Sequence, residues 1–191
     1  MTNGEVLKIF EASGGLLSGH FLLTSGRHSD RYMQCAKLFV DPEHAEQLCA
    51  ALAQKLKGVD IGMIASPAIG GIVMGYALAR QLGVKNIFAE RNAEGRMEFR
   101  RGFSVKPNER VLVVEDVVTT GGSVREVLDL VRASGGAATG AACIVDRSAG
   151  RVDLGCPLYS LLSMEIPSWE ATACPICKAG GPPLVKPGSR K

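Results

Sequence analysis

The chain has 191 residues, 46% hydrophobic, 21% charged and 5% aromatic, with a formal net charge of +3. That is the size of one domain with a full core, too apolar for a disordered chain, and no stretch reaches the roughly 18–20 uninterrupted apolar residues of a membrane span. Lys178, Lys186, Arg190 and Lys191 fall in a Gly/Pro-rich stretch without acids, residues 178–191, so a basic tail follows a nearly neutral body spanning 1–177. With so few aromatics, this pattern argues against a nucleic-acid partner. The N-terminus has no basic segment leading into an apolar run, so no secretory signal is expected. The six cysteines then read as free thiols of a cytoplasmic protein, with Cys49 and Cys143 in apolar contexts that suit the core.

Residues 3–13 have helical periodicity, with Val6, Leu7, Ile9 and Phe10 on one side, Thr2 and Glu5 at capping-box spacing, and Gly14-Gly15 as the stop. Residues 22–40 read as a hairpin-like region with a turn at Ser25-Gly26-Arg27 and a second run from Tyr32. Asp41-Pro42-Glu43 starts a helix that buries Leu48, Leu52 and Leu56 and ends at Gly58. Ile61 to Ala65 is a short buried strand. The loop Ser66 to Gly71 leads into a helix carrying Val73, Tyr76, Ala77 and Leu82, stopped by Gly83. Asn86 to Glu90 is another strand, and residues 91–101 are polar and irregular. Val111 to Glu115 is the clearest buried strand. A helix from Ser123 to Ser134 follows, with Ser123 and Glu126 again at capping-box spacing. Ala141 to Val145 and Tyr159 to Met164 complete the strands. Strand–loop–helix repetition with fully apolar strands predicts an α/β fold, a parallel sheet flanked by helices. Ligands of such sheets sit at the carboxyl ends of the strands, which singles out loops 66–71, 91–101 and 116–123.

The chemistry is concentrated in residues 111–123, Val-Leu-Val-Val-Glu-Asp-Val-Val-Thr-Thr-Gly-Gly-Ser. Glu115 and Asp116 emerge side by side at the mouth of a core strand. There they repel each other, lose hydration and require a compensating partner such as sugar hydroxyls or a hard cation. Thr119, Thr120, Gly121, Gly122 and Ser123 follow at a helix N-terminus, where glycines admit close backbone approach and free N–H groups face an anion. A diol-binding acid pair beside a phosphate cradle suits a ribose 5-phosphate. No Gly-Lys-Ser/Thr follows the glycines, so the segment is not a P-loop.

All thirteen positions of this segment resemble the 5-phosphoribosyl 1-pyrophosphate (PRPP) signature of type I phosphoribosyltransferases. The wider chain, roughly residues 1–170, is similar to the orotate-using members of that family. The supporting segments are residues 20–29, the loop 66–71, the arginine-rich 91–101 and Asp146-Arg147. The resemblance implies transfer of the phosphoribosyl group from PRPP to orotate, giving orotidine 5′-monophosphate and pyrophosphate in pyrimidine synthesis. It also implies a small hood, formed largely by the N- and C-terminal segments, and a homodimer. Mg²⁺ would be the cofactor, carried by PRPP rather than by a protein metal site. By the same resemblance, Glu115 and Asp116 would hold the ribose hydroxyls, and residues 117–123 would take the 5-phosphate: Val117, Val118, Thr119, Thr120, Gly121, Gly122 and Ser123. Thr119 would also touch orotate, Arg147 would pair with its carboxylate, and Tyr32 and Met33 would lie against the pyrimidine. Ala68, Ile69 and Gly70 would form the pyrophosphate loop, joined by Arg91. Thr24 and Gly70 stand where many members carry lysine, and loop 91–101 has Arg91, Arg96, Arg100 and Arg101 but no lysine or histidine. Arg91 and Arg96 are therefore expected to supply the charge for pyrophosphate departure, in the neighbouring subunit's site.

Two other functions fit the signature: a purine-base phosphoribosyltransferase and a regulatory protein that senses PRPP without turnover. Arg147 favours an acidic base over a purine. Its alternative role is to cap a strand end or pair with Asp146. His20, His28 and His44 are not spaced as a metal site, and His28 reads as a surface-turn residue. Cys174-Pro175-Ile176-Cys177 resembles half of a zinc knuckle, with Cys156 a candidate third ligand, the alternative being a simple C-terminal turn.

Overall fold

The computed structural model describes residues 1–23 and 25–187; Thr24 and the tail end with Arg190 and Lys191 lie outside them. A six-stranded sheet carries the fold in the order β5-β4-β3-β6-β7-β8. Its strands are β3 (Met63–Pro67), β4 (Lys85–Arg91), β5 (Met97–Phe99), β6 (Arg110–Val118), β7 (Ala137–Asp146) and β8 (Leu158–Ser163). All neighbours run parallel except the edge pair β4–β5. A separate antiparallel pair, β1 (Leu16–Leu22) and β2 (His28–Met33), forms a two-stranded sheet.

The helices are α1 (Asn3–Ala12), α2 (Pro42–Lys55), α3 (Gly70–Leu82), α4 (Gly122–Ala133) and the single turn α5 (Pro175–Lys178). Helix α1 starts with the expected capping box, Thr2 and Glu5 each satisfying the other's backbone. Asp41 caps α2 through Glu43 N–H at 2.9 Å, with Pro42 in its first turn. Two apolar clusters cover the two faces of the sheet. One joins α1, α2 and α3 through Phe10, Leu48, Leu52, Met74 and Leu112; the other joins α4 through Val113, Val127, Leu128 and Val131.

Four local expectations are corrected. The hairpin lies over 16–33 rather than 22–40, and residues 35–39 coil into a 3-10 turn. Helix α3 does not pack through Val73 and Tyr76, which are 49% and 68% exposed. It packs through Gly71, Met74, Gly75, Leu78 and Ala79, because small residues let the helix lie close to the sheet. A Cβ at Gly75 would stand 2.7 Å from Asn86 Oδ1. Residues 91–101 are not irregular: β4 turns back at Asn92–Arg96 into β5, with Asn92 accepting from the Glu94 and Arg96 N–H groups. Helix α4 is not capped by a Ser123–Glu126 box. Its N-cap is Gly121, and Glu126 instead takes both Nη atoms of Arg91 at 2.8 and 3.0 Å.

No helix among the described residues is long and apolar enough to cross a membrane. The Gly/Pro-rich C-terminal stretch runs beside β1: Val185 N–H donates to His20 O and Leu22 N–H donates to Val185 O, both at 2.8 Å.

Candidate active site

Strand β6 stays apolar through Val114 and carries Glu115 and Asp116 within its last turns of pleat, so the acids are strand residues rather than loop residues. Both are largely withdrawn from water. Burial, followed by the charge of Asp116, pushes the Glu115 carboxyl from its ordinary 4.5 up to about 8. Burial raises Asp116 as well, opposed by the Val117 N–H that it accepts at 2.8 Å. Without a ligand the pair retains a proton near neutrality.

The loop after β3 crosses directly over these acids. A Cβ at Gly70 would sit 3.3 Å from both Asp116 carboxylate oxygens, and one at Gly71 would sit 3.3 Å from Glu115 Oε1. Ala68 is anchored by its N–H to Ala89 O at 2.8 Å, while Ile69 is exposed.

On the other side of Glu115, residues 117–124 line a cavity of about 170 Å³. Gly121 makes its turn at φ 75°, and a Cβ there would meet Val152 at 2.7 Å and Leu154 at 2.8 Å, so only glycine fits. The N–H groups that open α4 have no acceptor within the helix and face this cavity together with the dipole's positive end. Arg125 braces the loop by donating to Thr120 O at 2.7 Å and to Asp153 O.

A second depression, about 330 Å³, shares Thr119 and Thr120 with the first and adds Arg125, Arg147, Ser148 and Arg151. Arg147 follows β7, and its N–H donates to Val118 O at 2.8 Å. Its Nε is buried with no partner among the described residues. Burial lowers its pKa, opposed by the nearby Cys35 and Tyr32. Arg147 does not pair with Asp146. That carboxylate is occupied by Ser148 N–H and Oγ, Gly150 N–H and Ser163 Oγ at 2.6–3.3 Å. Burial pushes Asp146 up, but these donors outweigh it and hold it below the usual range.

Tyr32 is half-buried, with Phe21 6.0 Å from its ring, whereas Met33 points the other way into the main core, as strand alternation requires. Cys35 is buried in the main core. Burial pushes its thiol well up, and the charges of Asp116 and Arg147 both act on it. Arg91 and Arg96 do not line the acid pair's cavity. They flank a shallow depression outside α4 with Glu94, Glu126 and Asp129.

The remaining candidates converge elsewhere. His28 is buried, not a surface residue, and its Nδ1 lies 3.0 Å from His20 Nε2. Cys174 and Cys177 join them, while Cys156 packs in the α4 cluster and His44 is absent from the group. Sequence spacing hid this group because its members come from opposite ends of the chain.

Comparison with known proteins accords with this geometry. The phosphoribosyl transferase domain profile matches residues 40–174. The chain is 55% identical, over the full length of both proteins, to an orotate phosphoribosyltransferase of Pelotomaculum thermopropionicum. It is 53% identical, again over both full lengths, to that of Caldanaerobacter subterraneus subsp. tengcongensis. The crystal structure of the Aeropyrum pernix orotate phosphoribosyltransferase superposes with a TM-score of 0.73 at 25% identity, covering 83% of this chain and 93% of that one. The chain belongs to the phosphoribosyl transferase family.

A carboxyl whose folded pKa is raised keeps its proton in the folded chain after the unfolded chain has lost it. Glu115 therefore lowers stability progressively as pH rises from about 4.5 to about 8. In ligand-free protein, Glu115→Gln should show a Tm gain over wild type that grows across this window and levels above it. A difference that stays flat with pH in thermal scans would remove the strained ionisation.

Proposed function

We infer that this chain is an orotate phosphoribosyltransferase, transferring the phosphoribosyl group of PRPP to orotate N1 with release of pyrophosphate. The observation that carries the substrate choice is the unpartnered, buried Arg147 Nε beside the phosphate cradle. A guanidinium held this way needs an acidic ligand, and its planar fork matches a planar carboxylate. The full-length relatives bearing that name support the same choice.

In this reading the C1–O bond to pyrophosphate breaks as the C1–N bond forms, and positive charge gathers on the ribose ring. Glu115 and Asp116 accept from the ribose hydroxyls and place negative charge near the developing cation. Residues 117–123, with the N-terminus of α4, hold the 5-phosphate. Backbone of Ala68, Ile69 and Gly70 faces the departing pyrophosphate from above Asp116. Arg147 and Tyr32 orient orotate, and Thr119 touches both ligands. Glu115 and Asp116 offer the hard oxygen donors that would face the Mg²⁺ carried by PRPP, which would supply charge neutralisation for the leaving pyrophosphate. The two-stranded sheet β1–β2 serves as the hood. The six free cysteines suit the reducing cytoplasm.

A homodimer is part of the proposal. Val40, Ile69, Val73 and Tyr76 are exposed, and Phe39, Pro42, Val73, Tyr76 and Ala77 border an apolar depression of about 190 Å³. A second copy would cover this face. It would also explain why Arg91 and Arg96 stand away from their own acid pair.

The direct test follows orotate absorbance with PRPP and Mg²⁺, with adenine, hypoxanthine and uracil as competing bases. Consumption of a purine instead, or PRPP binding without turnover, would overturn the assignment. Asp116→Asn should lower kcat by ~10²–10³ in a folded protein; unchanged kinetics would take the acids out of the mechanism. Arg147→Ala should raise KM for orotate, but not for PRPP, by an amount worth ~2–5 kcal/mol. Equal changes in both constants would make Arg147 structural. Finally, mixing inactive Arg96→Ala with inactive Asp116→Asn should restore activity toward half per hybrid dimer, since one site then carries neither lesion. No recovery after demonstrated subunit exchange would place the arginine in its own subunit's site.

A further inference from the structure

The hood contains a second group of chemistry-bearing side chains that the transfer reaction does not use. His20 lies on β1, His28 opens β2, and Cys174 and Cys177 flank the start of α5. One ligand-capable atom from each lies within 4.8 Å of all the others. The observed separations are 3.0 Å between the two ring nitrogens, 3.5 Å from His20 Nε2 to each sulfur, and 3.3 Å from His28 Nδ1 to Cys177 Sγ. A tetrahedron with Zn–N near 2.0–2.1 Å and Zn–S near 2.3 Å has edges of about 3.3–3.8 Å, so the four atoms already stand close to the corners of one.

The surroundings prepare the ligands. Between Ser18 and Phe21 the β1–β2 register slips, so Gly19 and His20 together oppose one residue of β2; such a bulge re-aims a side chain. Pro182 O lies 3.1 Å from His20 Nδ1 and can only accept. The Nδ1 proton goes there, which leaves the Nε2 lone pair facing the group, the usual outer partner of a metal-bound histidine. His20, His28 and Cys174 are buried, with 0–6% exposure. The cysteine pair also has the short two-residue spacing typical of zinc ligands.

We propose that His20, His28, Cys174 and Cys177 form a closed structural Zn²⁺ site that ties the C-terminal segment to the hood sheet. Two thiolates and two imidazoles in a tetrahedron select zinc among common divalent ions, and each thiol gives up its proton on binding. The fold needs such a tie. A two-stranded sheet alone is marginal. Leu16 and Met33 tie one side of this one to the main core, while its links to the C-terminal segment are single bridges to Trp169 and Val185, Arg27 to Ser168 and Glu170, and Ser29 to Pro167 O. The strand that begins at His28 ends at Tyr32-Met33, so the metal fixes the strand that carries Tyr32.

The test measures metal on the intact protein, prepared from zinc-supplemented cells without chelator. Elemental analysis should give about one zinc per chain. Replacement by Co²⁺ should give the intense visible bands of a tetrahedral site with thiolate charge transfer. Both should vanish in the double variant Cys174→Ser/Cys177→Ser and persist in Cys156→Ser. Chelation of wild-type protein should lower Tm, and one equivalent of Zn²⁺ should restore it. Wild-type protein that is folded yet carries under a tenth of an equivalent, and fails to take Zn²⁺ from a chromogenic indicator, would overturn the proposal. So would full zinc content in the double variant, one equivalent of a different metal, or a Cys174–Cys177 disulfide in freshly prepared protein. Because these readouts concern metal content and spectra, they stand independently of the orotate assignment.

Discussion

Two carboxylates side by side at the end of a central strand are the constraint from which the site follows. Glu115 and Asp116 are carried to the carboxyl end of the sheet by a strand buried from Val111 to Val114, and are themselves only partly exposed. Their mutual repulsion and lost hydration are left uncompensated by the protein itself: among the described residues no cation pairs with either. In the proposed function, a diol and a cation-bearing ligand would supply that compensation. Every neighbouring element leaves that space open. The β3–α3 loop approaches with glycines, the β6–α4 turn with a left-handed glycine, and the residue after β7 with a guanidinium whose buried Nε has no partner among the described residues.

The sheet order makes this convergence possible. β6 lies between β3 and β7, so the loops leaving all three strands open on the same edge. Asp146 belongs to this arrangement as a positioning residue. By accepting from Ser148, Gly150 and Ser163 it fixes the turn that carries Arg147, and it leaves Arg147 without an internal carboxylate to satisfy it. A salt bridge between these two neighbours would have consumed the group proposed to hold the acidic substrate.

The two-stranded sheet β1–β2 follows a different logic. It is too small to hold itself through apolar burial, and many of its polar attachments come from residues 167–185, far along the chain. The same segment supplies both cysteines of the histidine–cysteine group. The described part of the C-terminal segment thus packs along β1 rather than standing apart.

Local signals in the sequence determined much of this protein. The capping box at Thr2 and Glu5, the Asp41-Pro42 start of α2 and the apolar run before Glu115 act over a few residues, where the chain's own sterics and hydrogen bonds dominate. Residues 111–123 announced the ribose phosphate chemistry because acids, hydroxyls and glycines must be contiguous to build that cradle. Tertiary structure decided what depends on facing partners. Before Arg80, helix α3 is apolar on every side, so its periodicity could not say that Gly71, Gly75 and Ala79 would face the sheet and leave Tyr76 outside. Ser123 and Glu126 had the spacing of a cap, but a left-handed Gly121 and the guanidinium of Arg91 overrode it. Strand alternation put Tyr32 and Met33 on opposite faces, but which of them faced the core was decided only by the packing of β1 and β2. His20 and His28 meet across a bulge, and Cys174 reaches them from 154 residues away. No one-dimensional spacing encodes such a contact, because it is the folded sheet that brings the two ends of the chain together.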